Sequence, residues 1–489
     1  MTIFAPGSTP FGAVSKRTPN EYSRRRRNAC HSGAGLAHAY RGTKLSRPEE
    51  SAWVIWARLV EGVKPDQNRA TLLVRGLMPV PDEAYHLRTP NRLTIRSTGW
   101  VPAFAVADRD GSVPLFVHTH PDADTELSDL DRIVDDELAR VASVRNTLEG
   151  YGSVIISGSS DQPMFTGRLH FPDSGWRDIG RLRVAGRRLH LLWPPAIETA
   201  EGRTDPPVFD RQIRAFGTEG QATLERLRVG IVGAGGTGSA IAEQLIRLGV
   251  GELTVIDSQD LDGSNVTRVY GSTLQDEGKP KAKLVSKNAH RIGLGTIIKH
   301  YKSSVTVEAT AKRLVHCDVI FGCTDDHAGR AVLTRMPLSL LQLLIDCGVL
   351  LDSNAGILIG IYGRISVVAP GDPCLVCHGD VNPDRLRDEM LPPQELIARK
   401  AAGNAPELDE ADPAVIPYTT MAAAAALNEL LGRLFGFTAE GNHLLLLPHE
   451  RRMSPQHRDR VGTHRCGDTS KSAAGLAAPF LDWSWGTAS

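Results

Sequence analysis

The chain has 489 residues, of which 41% are hydrophobic and 23% are charged, and its 56 basic and 56 acidic residues give a formal net charge of zero. This length exceeds what one hydrophobic core usually organises, so we expect two domains with flanking tails. The balanced charge argues against nucleic acid as the main partner, because binding to phosphates requires an excess of basic residues.

The location of the protein is predicted from what the sequence lacks. No apolar run reaches the ~18 to 20 residues of a membrane-spanning helix, and Arg24–Arg27 is not followed by the apolar stretch of an export signal. The chain has seven cysteines, an odd number that indicates reduced thiols or metal ligands when no export signal is present. We therefore expect a cytoplasmic protein without a membrane partner.

The first half of the chain predicts a mixed α/β domain at 46–195, preceded by a flexible basic tail at 1–45. Short apolar runs indicate strands near residues 71–75, 114–118 and 153–157. Two stretches, Glu49–Val63 and Asp129–Thr147, are interpreted as helices. The second of these carries an apolar stripe that consists of Leu130, Ile133, Val134, Leu138 and Val141.

The second half predicts a Rossmann-like α/β domain at 223–467, which follows a Pro- and charge-rich connector at 196–222 and precedes a flexible tail at 468–489. Its first elements are a strand at Arg228–Val232 and a helix that ends at Leu248. Further strands are expected at Glu252–Asp257, Val319–Gly322, Leu343–Asp346 and Ile365–Val368. Strands and helices that alternate in βαβ order are typical of a largely parallel, doubly wound sheet.

A glycine-rich turn follows the first strand of the second domain. Its glycines are Gly233, Gly235, Gly236 and Gly238, and they fit the pattern G-x-G-x-x-G between a strand and a helix. Such glycines let the backbone turn tightly and approach phosphates at a helix N-terminus. Asp257 ends the next strand, where a carboxylate can bind ribose hydroxyls. By itself this pattern also fits an NAD-dependent oxidoreductase or a tight packing turn.

A series of polar residues around this turn favours ATP over NAD. The series consists of Arg211, Asp257, Asn265, Arg268, Lys281 and Asp325. An enzyme that transfers hydride has no need of these cations. An enzyme that activates a carboxylate with ATP does need them, because it must bring two anions together.

In its order and spacing this series resembles the MoeB/ThiF/ubiquitin-activating (E1-like) adenylyltransferase family over roughly residues 209–467. The resemblance implies ATP and Mg²⁺ as cofactors. Asp257 would hold the ribose, and the triphosphate would be bound by Asn265, Arg268 and Lys281. Asp325 would bind Mg²⁺, and Arg211 would touch the phosphates across the interface of a homodimer.

The same resemblance implies a substrate and a reaction. The substrate would be a ubiquitin-like or sulfur-carrier protein in a bacterial pathway, whose C-terminal glycine carboxylate attacks the α-phosphorus of ATP and releases pyrophosphate. Members that form a thioester carry a cysteine in the segment that corresponds to 382–416, and this segment contains none. We therefore expect adenylation alone, with a conjugating enzyme or a sulfur donor acting afterwards.

Cysteines indicate a structural metal site in the second domain. Cys374 and Cys377 form a C-x2-C knuckle, placed where the E1-like family has half of a zinc site. Of the second half this chain retains Cys466. That cysteine could complete a tetrahedral Zn²⁺ site with His464 or His457, or the site has been reduced to thiols without a fourth ligand.

Histidines indicate a second zinc site in the first domain. His118 and His120 are two residues apart in a predicted strand, so both imidazoles face the same side. Asp131 could add a third ligand and leave a position open for water, as a catalytic zinc ion requires. The full pattern, H-x-H-P-x6-S-x2-D, includes Ser128 and resembles the JAMM (JAB/MPN/Mov34) metalloproteases.

This second resemblance implies zinc-dependent cleavage after the C-terminal glycine of a ubiquitin-like protein. It implies that Ser128 stabilises the oxyanion and that an upstream glutamate is the general base. Glu50 matches the usual position at the start of a helix, and Glu49 is the alternative.

Two activities on one chain suit one substrate, because cleavage would expose the glycine carboxylate that the second domain adenylates. The leading hypothesis is therefore a combined protease and adenylyltransferase. The alternatives are an adenylyltransferase whose JAMM-like domain only binds the partner, and an NAD-dependent oxidoreductase.

Overall fold

The computed structural model divides the chain into two compact units. The described residues are 2–4, 49–60, 70–121, 126–144, 150–158, 163–195, 207–391, 394–395, 397, 413–437, 441–462, 464, 466, 468 and 472–477. Unit 1 comprises Met1–Thr204, Leu338–Leu341 and Thr469–Ala478, and unit 2 comprises Asp205–Pro337, Gln342–Asp468 and Pro479–Ser489. Most of the predicted tails, and residues 196–206 of the connector, lie outside the described residues. Across the described segments, no helix is long and apolar enough to span a membrane.

Unit 1 contains a nine-stranded sheet with the order β11-β10-β1-β3-β2-β6-β7-β8-β9, and β4 pairs with β5 separately. The strands are β1 (Thr2–Phe4), β2 (Ala52–Val60), β3 (Thr71–Pro79), β4 (Tyr85–Thr89), β5 (Arg92–Ile95), β6 (Val113–His120), β7 (Tyr151–Gly158), β8 (Pro163–Phe171), β9 (Gly175–Asp178), β10 (Leu182–Ala185) and β11 (Leu189–Leu192). The helices are α1 (Val101–Asp110) and α2 (Asp129–Val144). The strands predicted near 71–75, 114–118 and 153–157 are confirmed as β3, β6 and β7.

The prediction of a helix over Glu49–Val63 is wrong, because this stretch contains strand β2. Both faces of β2 are buried: Trp53 and Ile55 pack into one core, and Val54 and Trp56 pack into the other. A strand that is buried on both faces has a continuous apolar sequence, and periodicity alone does not distinguish it from a buried helix.

The helix predicted from Asp129 is confirmed as α2, but most of its apolar stripe does not face the core. Leu130 is 46% exposed and Ile133 is 58% exposed. The buried side instead carries Asp135, which accepts hydrogen bonds from Arg168 at 2.8 Å and 3.0 Å. This buried ion pair joins α2 to β8, and Leu138, Ala139 and Ala142 pack into the core on the same side of the helix.

Short ordered elements lie inside both predicted tails of unit 1. Strand β1 pairs in parallel with β10 and β3. Near the other end of the chain, Arg75 donates to the carbonyl of Ser472 at 2.7 Å, and Arg58 donates to that of Ala474 at 3.2 Å. Residues 2–4 and 472–474 therefore form ordered contacts, although their composition predicts flexible tails.

Unit 2 contains an eight-stranded sheet with the order β14-β13-β12-β15-β16-β17-β18-β19. The strands are β12 (Arg228–Val232), β13 (Glu252–Ile256), β14 (Ile297–Tyr301), β15 (Val319–Gly322), β16 (Leu343–Asn354), β17 (Ile357–Val368), β18 (His443–Leu447) and β19 (Arg452–Gln456). The helices that follow α2 along the chain are α3 (Asp210–Arg226), α4 (Gly236–Arg247), α5 (Lys281–Ile292), α6 (Glu308–Ala311), α7 (His327–Leu333), α8 (Met336–Leu340), α9 (Leu375–His378), α10 (Pro383–Glu389) and α11 (Ile416–Phe435).

The predicted Rossmann-like order is confirmed for the first five strands, which are parallel, whereas β17 to β19 are antiparallel. From β12 the chain proceeds to β13 and β14 on one side, and later to β15 and β16 on the other. A crevice forms at the carboxyl ends of the strands where the order reverses, and ligands of such sheets bind there. Val232 pairs with Gly322, so the loops that follow β12 and β15 are neighbours at this crevice.

Candidate functional site

The glycine loop after β12 is packed backbone against backbone. Gly233 has a φ of 92°, and a Cβ at this position would lie 2.5 Å from the carbonyl oxygen of Cys323. A Cβ on Gly238 would lie 1.8 Å from the carbonyl oxygen of Gly233. Gly235 caps α4 and faces open space, since a Cβ there would meet no atom within 4 Å. The loop thus presents backbone and the N-terminus of a 12-residue helix to the crevice, an arrangement that suits phosphate binding.

Replacement of Gly238 by alanine should destabilise unit 2, because the new methyl group meets backbone that cannot move aside. We expect a loss of about 3 kcal/mol, which corresponds to a fall in Tm of about 6 to 12 °C. Gly235→Ala is the matched control, as its φ of −74° suits alanine and its surroundings are open. Thermal unfolding followed by circular dichroism checks both, and equal Tm values for the two variants would contradict the packing described.

Asp257 braces this loop from the end of β13. Its Oδ2 accepts a hydrogen bond from the backbone N–H of Ala234 at 2.7 Å, and its Oδ1 accepts one from Gln259 at 2.7 Å. Burial raises the pKa of Asp257, the charge of Lys281 opposes that rise and Asp325 adds to it. These three predicted site residues therefore share one electrostatic environment.

Lys281 is held in place by a residue that the sequence motifs do not single out. It begins α5, is only 6% exposed, and donates from Nζ to Oε1 of Gln259 at 2.7 Å. Gln259 also bonds to Asp257 through its backbone, so it links the predicted ribose ligand to the predicted phosphate ligand. The signal available in the sequence was its place two residues after that aspartate.

Asn265 and Arg268 lie on the short segment after β13. Arg268 donates from Nη1 to the carbonyl of Ser264 at 3.2 Å and from Nη2 to Oδ1 of Asn265 at 3.5 Å. Its Cδ would be 3.3 Å from a Cβ placed on Gly236. The guanidinium stem therefore lies over the glycine loop, where a cation can attract phosphate oxygens.

Asp325 lies in the loop after β15 and is exposed, whereas its neighbour Asp326 is partly buried. Burial raises the pKa of Asp326, and the charge of Asp325 adds to that effect. Arg330 donates to the backbone carbonyl of Asp325 at 3.4 Å and so holds the loop. An exposed carboxylate at the mouth of the crevice is the oxygen ligand that Mg²⁺ prefers.

Arg211 stands apart from this group in the single chain. It is exposed in the first turn of α3, and within the described part of the chain it forms no hydrogen bond or ion pair with Asp257, Lys281 or Asp325. Its action across a dimer interface remains a prediction.

The predicted zinc ligands of unit 1 lie together. The Nε2 atoms of His118 and His120 are 3.1 Å apart. Nε2 of His118 lies 3.4 Å from Oδ1 of Asp131, and Nε2 of His120 lies 3.9 Å from its Oδ2. Tetrahedral zinc with bonds of 2.0–2.2 Å places its ligand atoms about 3.3 Å apart. The three side chains therefore fit a zinc ion without a change of backbone.

Ser128 positions the carboxylate of this cluster. Its hydroxyl donates to Oδ2 of Asp131 at 2.6 Å and accepts from the backbone N–H of Asp131 at 3.1 Å. Burial opposes ionisation of Asp131, but hydrogen bonds from His118 and Ser128 and the charge of His118 hold its pKa well below the ordinary value. The ligand is thus ionised and oriented, while the role of Ser128 toward an oxyanion stays a prediction.

Glu50 is buried at 4% exposure and lies immediately before β2, not at the start of a helix as predicted. Strand β2 pairs with the strand of the histidines, Ala52 opposite His118, and the carbonyl of Ser51 accepts from Thr119 at 2.9 Å. Glu50 lies two residues before Ala52, and its backbone N–H donates to the carbonyl of Thr89 at 3.0 Å. Glu49, by contrast, is half exposed, with 50% of its side chain accessible.

The cysteine cluster of unit 2 brings together four side chains that could hold a metal ion. Sγ of Cys374 lies 3.9 Å from that of Cys377 and 3.3 Å from Nδ1 of His464, and Sγ of Cys377 lies 3.6 Å from that of Cys466. Zinc–sulfur bonds of 2.3 Å imply sulfur atoms about 3.8 Å apart in a tetrahedral site. His464 therefore stands where the fourth ligand is needed, and His457 is exposed beside Asp459 instead.

The glycine loop at a helix N-terminus, the cations beside it and the exposed carboxylate form an arrangement on this Rossmann-like sheet that is suited to a nucleotide. The model of the ThiF family matches residues 209–460. The chain belongs to this family.

Two curated relatives show how far the similarity extends. A sulfur carrier protein adenylyltransferase of Thermus thermophilus is 30% identical over 47% of this chain and 78% of its own length. A tRNA threonylcarbamoyladenosine dehydratase of Bacillus subtilis is 42% identical over 16% of this chain and 30% of its own length. The similarity therefore spans more than two thirds of the Thermus protein but less than one third of the Bacillus protein.

A solved structure, that of E. coli MccB with succinimide, covers 54% of this chain at 15% identity with a TM-score of 0.42, and this chain covers 74% of it.

Proposed function

We propose that unit 2 adenylates the C-terminal glycine carboxylate of a ubiquitin-like or sulfur-carrier protein, with ATP and Mg²⁺. The observation that carries the proposal is the group formed by Asp257, Lys281 and Asp325 beside the glycine loop. The Thermus relative, which is named for adenylation of a sulfur carrier protein, supports the same substrate class. Membership of the ThiF family favours this reaction over the hydride transfer of an NAD-dependent oxidoreductase.

The residues divide the work by charge. The helix N-terminus after the glycine loop, together with Arg268 and Lys281, would hold the phosphates and attract the charge that develops as pyrophosphate leaves. Asp325 would hold Mg²⁺, which neutralises phosphate charge when bound. The incoming carboxylate is repelled by the triphosphate, so these cations lower the barrier mainly by positioning both anions.

ATP–pyrophosphate exchange tests this proposal with purified ubiquitin-like proteins that end in glycine. We expect exchange that depends on the partner and that is lost when the terminal glycine is deleted. Exchange that proceeds equally well without the glycine would contradict the assignment of the substrate carboxylate. ATP binding, measured by calorimetry on the same preparation, shows separately whether the nucleotide site itself is correct.

A second candidate substrate comes from the Bacillus relative, which is named for a modified tRNA nucleoside. The zero net charge of this chain disfavours tRNA, since phosphate binding requires basic residues in excess. Adding tRNA in place of the protein partner to the exchange assay decides between the two substrates.

For unit 1 we propose zinc-dependent cleavage after the C-terminal glycine of the same kind of protein. The proposal rests on His118, His120 and Asp131, whose separations fit one zinc ion. A zinc ion bound there would supply Lewis acidity and lower the pKa of a coordinated water to about 7. Glu50, a buried carboxyl beside the start of β2, would accept the proton of the attacking water. The alternative, a domain that binds the partner without cleaving it, predicts zinc binding without turnover.

We further propose a homodimer in which Arg211 completes the partner protomer's nucleotide site. Mixing Arg211→Ala with Asp325→Ala protein should restore exchange to about a quarter of the wild-type rate, because half of the dimers are mixed and each has one intact site. Exchange measured before and after subunit mixing checks this. No recovery in mixtures that sedimentation shows to be mixed dimers would place Arg211 outside the partner's site.

A further inference from the structure

A second cluster of metal-binding side chains lies in unit 2, close in sequence to the cysteine site. It consists of His378, Asp380 and His443, whose ligand atoms all lie within 4.8 Å of one another. His378 ends α9 directly after Cys377, and His443 begins β18. Nothing in the motifs of the sequence brings these residues together, since the sheet does so by placing β18 beside β17.

His378 is buried without a hydrogen-bond partner. Its side chain is 0% exposed, and among the described residues neither of its ring nitrogens has a partner. A neutral imidazole carries one donor and one acceptor, and leaving both unsatisfied in the interior costs free energy. Its Nδ1 lies 3.9 Å from Oδ2 of Asp380, which is too far for a hydrogen bond, and a small movement of either side chain would bring the two atoms to the ~3.3 Å spacing of two zinc ligands.

Ser366 forms hydrogen bonds with the other two side chains of the cluster, Asp380 and His443. Its buried hydroxyl donates to Oδ2 of Asp380 at 2.5 Å and lies 3.0 Å from Nδ1 of His443. A hydroxyl has one hydrogen, so a Ser366 that donates to Asp380 must accept from His443. That hydrogen bond places the proton of His443 on Nδ1 and leaves the lone pair on Nε2, and metal-binding histidines are commonly oriented by such a hydrogen bond from the other ring nitrogen.

The arginine beside Asp380 is shared with a second carboxylate. Nη1 of Arg364 forms ion pairs with two carboxylates, at 2.7 Å from Oδ2 of Asp346 and 3.1 Å from Oδ2 of Asp380. Nε of Arg330 lies 3.6 Å from Asp346. Because Asp346 shares the guanidinium of Arg364, the charge of Asp380 is only partly compensated, and its carboxylate retains acceptor positions for a cation.

We propose that His378, Asp380 and His443 bind a divalent first-row transition-metal ion that is distinct from the ion of the cysteine site. Two neutral imidazoles and one carboxylate form a ligand set that such ions accept, with a position left for water. The ion would join α9 to the sheet at β17 and β18.

Zinc content of the full-length protein tests the proposal. After equilibration with Zn²⁺ and removal of free metal, His443→Gln should contain one equivalent less than wild type by mass spectrometry of the metal. Cys374→Ser should also lose one equivalent, and the double variant should lose two. A wild-type zinc content in His443→Gln would overturn the proposal. So would a double variant that loses only one, since both residues would then serve the same ion.

A second variant covers the case in which His443→Gln does not fold. Asp380→Asn keeps the size of the side chain and an oxygen for Ser366 and Arg364, but removes the charged ligand. It too should lose one equivalent. Added Zn²⁺ should raise the Tm of Cys374→Ser further than that of Cys374→Ser/Asp380→Asn, because an ion that binds only the folded state stabilises it. Equal shifts for the two proteins would overturn the site.

Discussion

Asp325→Ala should reduce partner-dependent ATP–pyrophosphate exchange by about 10²- to 10³-fold, the usual effect of removing one preorganised electrostatic group. Asp325 is exposed at the crevice between the glycine loop and the loop after β15. The substitution therefore removes a ligand for Mg²⁺ without creating a cavity, and the Tm should change by little. Initial rates of exchange at saturating ATP, with the partner protein present, measure the effect.

The matched control is Asp384→Ala, which also removes an exposed carboxylate from unit 2. The side chain of Asp384 is 83% exposed and pairs only with the exposed Arg387, so exchange should remain at the wild-type rate. Raising the Mg²⁺ concentration should recover part of the lost rate of Asp325→Ala if metal binding is what was weakened. If Asp325→Ala shows the wild-type rate of exchange at low Mg²⁺, another group holds the metal.

The parts of the fold that the sequence predicted well are those where one periodicity dominates. Arg228–Val232 and Val319–Gly322 form strands with the predicted limits, because short apolar runs between turns allow one interpretation. The helix over Glu49–Val63 was predicted wrongly because β2 is apolar on both faces, which masks the alternation of a strand. The stripe predicted for α2 misleads because only Leu138 of its residues is buried, while the buried side also includes Asp135, Ala139 and Ala142.

The candidate sites also contain residues that the sequence predicts and residues that only the structure reveals. Spacing alone pointed to His118, His120 and Asp131, because two of them lie on one strand and the third begins the next helix. Gln259, which holds Lys281, belongs to no motif and is found only through its 2.7 Å contact. The choice of His464 over His457 likewise depends on a loop conformation that ligand counting does not specify.

Glu50→Gln should lower the rate of cleavage in unit 1 by about 10²- to 10⁴-fold, the range expected for the loss of a general base. Glutamine keeps the size of the side chain at this buried position, so neither the strand pairing of β2 nor the zinc content should change. Cleavage of a fusion in which a ubiquitin-like protein ending in glycine precedes a reporter domain measures the rate, and metal analysis of the same sample measures the zinc.

Glu49→Gln provides the control, because the two glutamates are adjacent but differ in burial. If loss of one negative charge near the zinc site were enough to slow cleavage, both variants would show it. Glu49 is half exposed and lies 3.8 Å from Arg88, so its loss should leave cleavage unchanged. The reverse result, with cleavage lost in Glu49→Gln but not in Glu50→Gln, would identify Glu49 as the general base. If wild type binds zinc at His118, His120 and Asp131 but cleaves no such fusion, the alternative in which unit 1 binds its partner without cutting it is favoured.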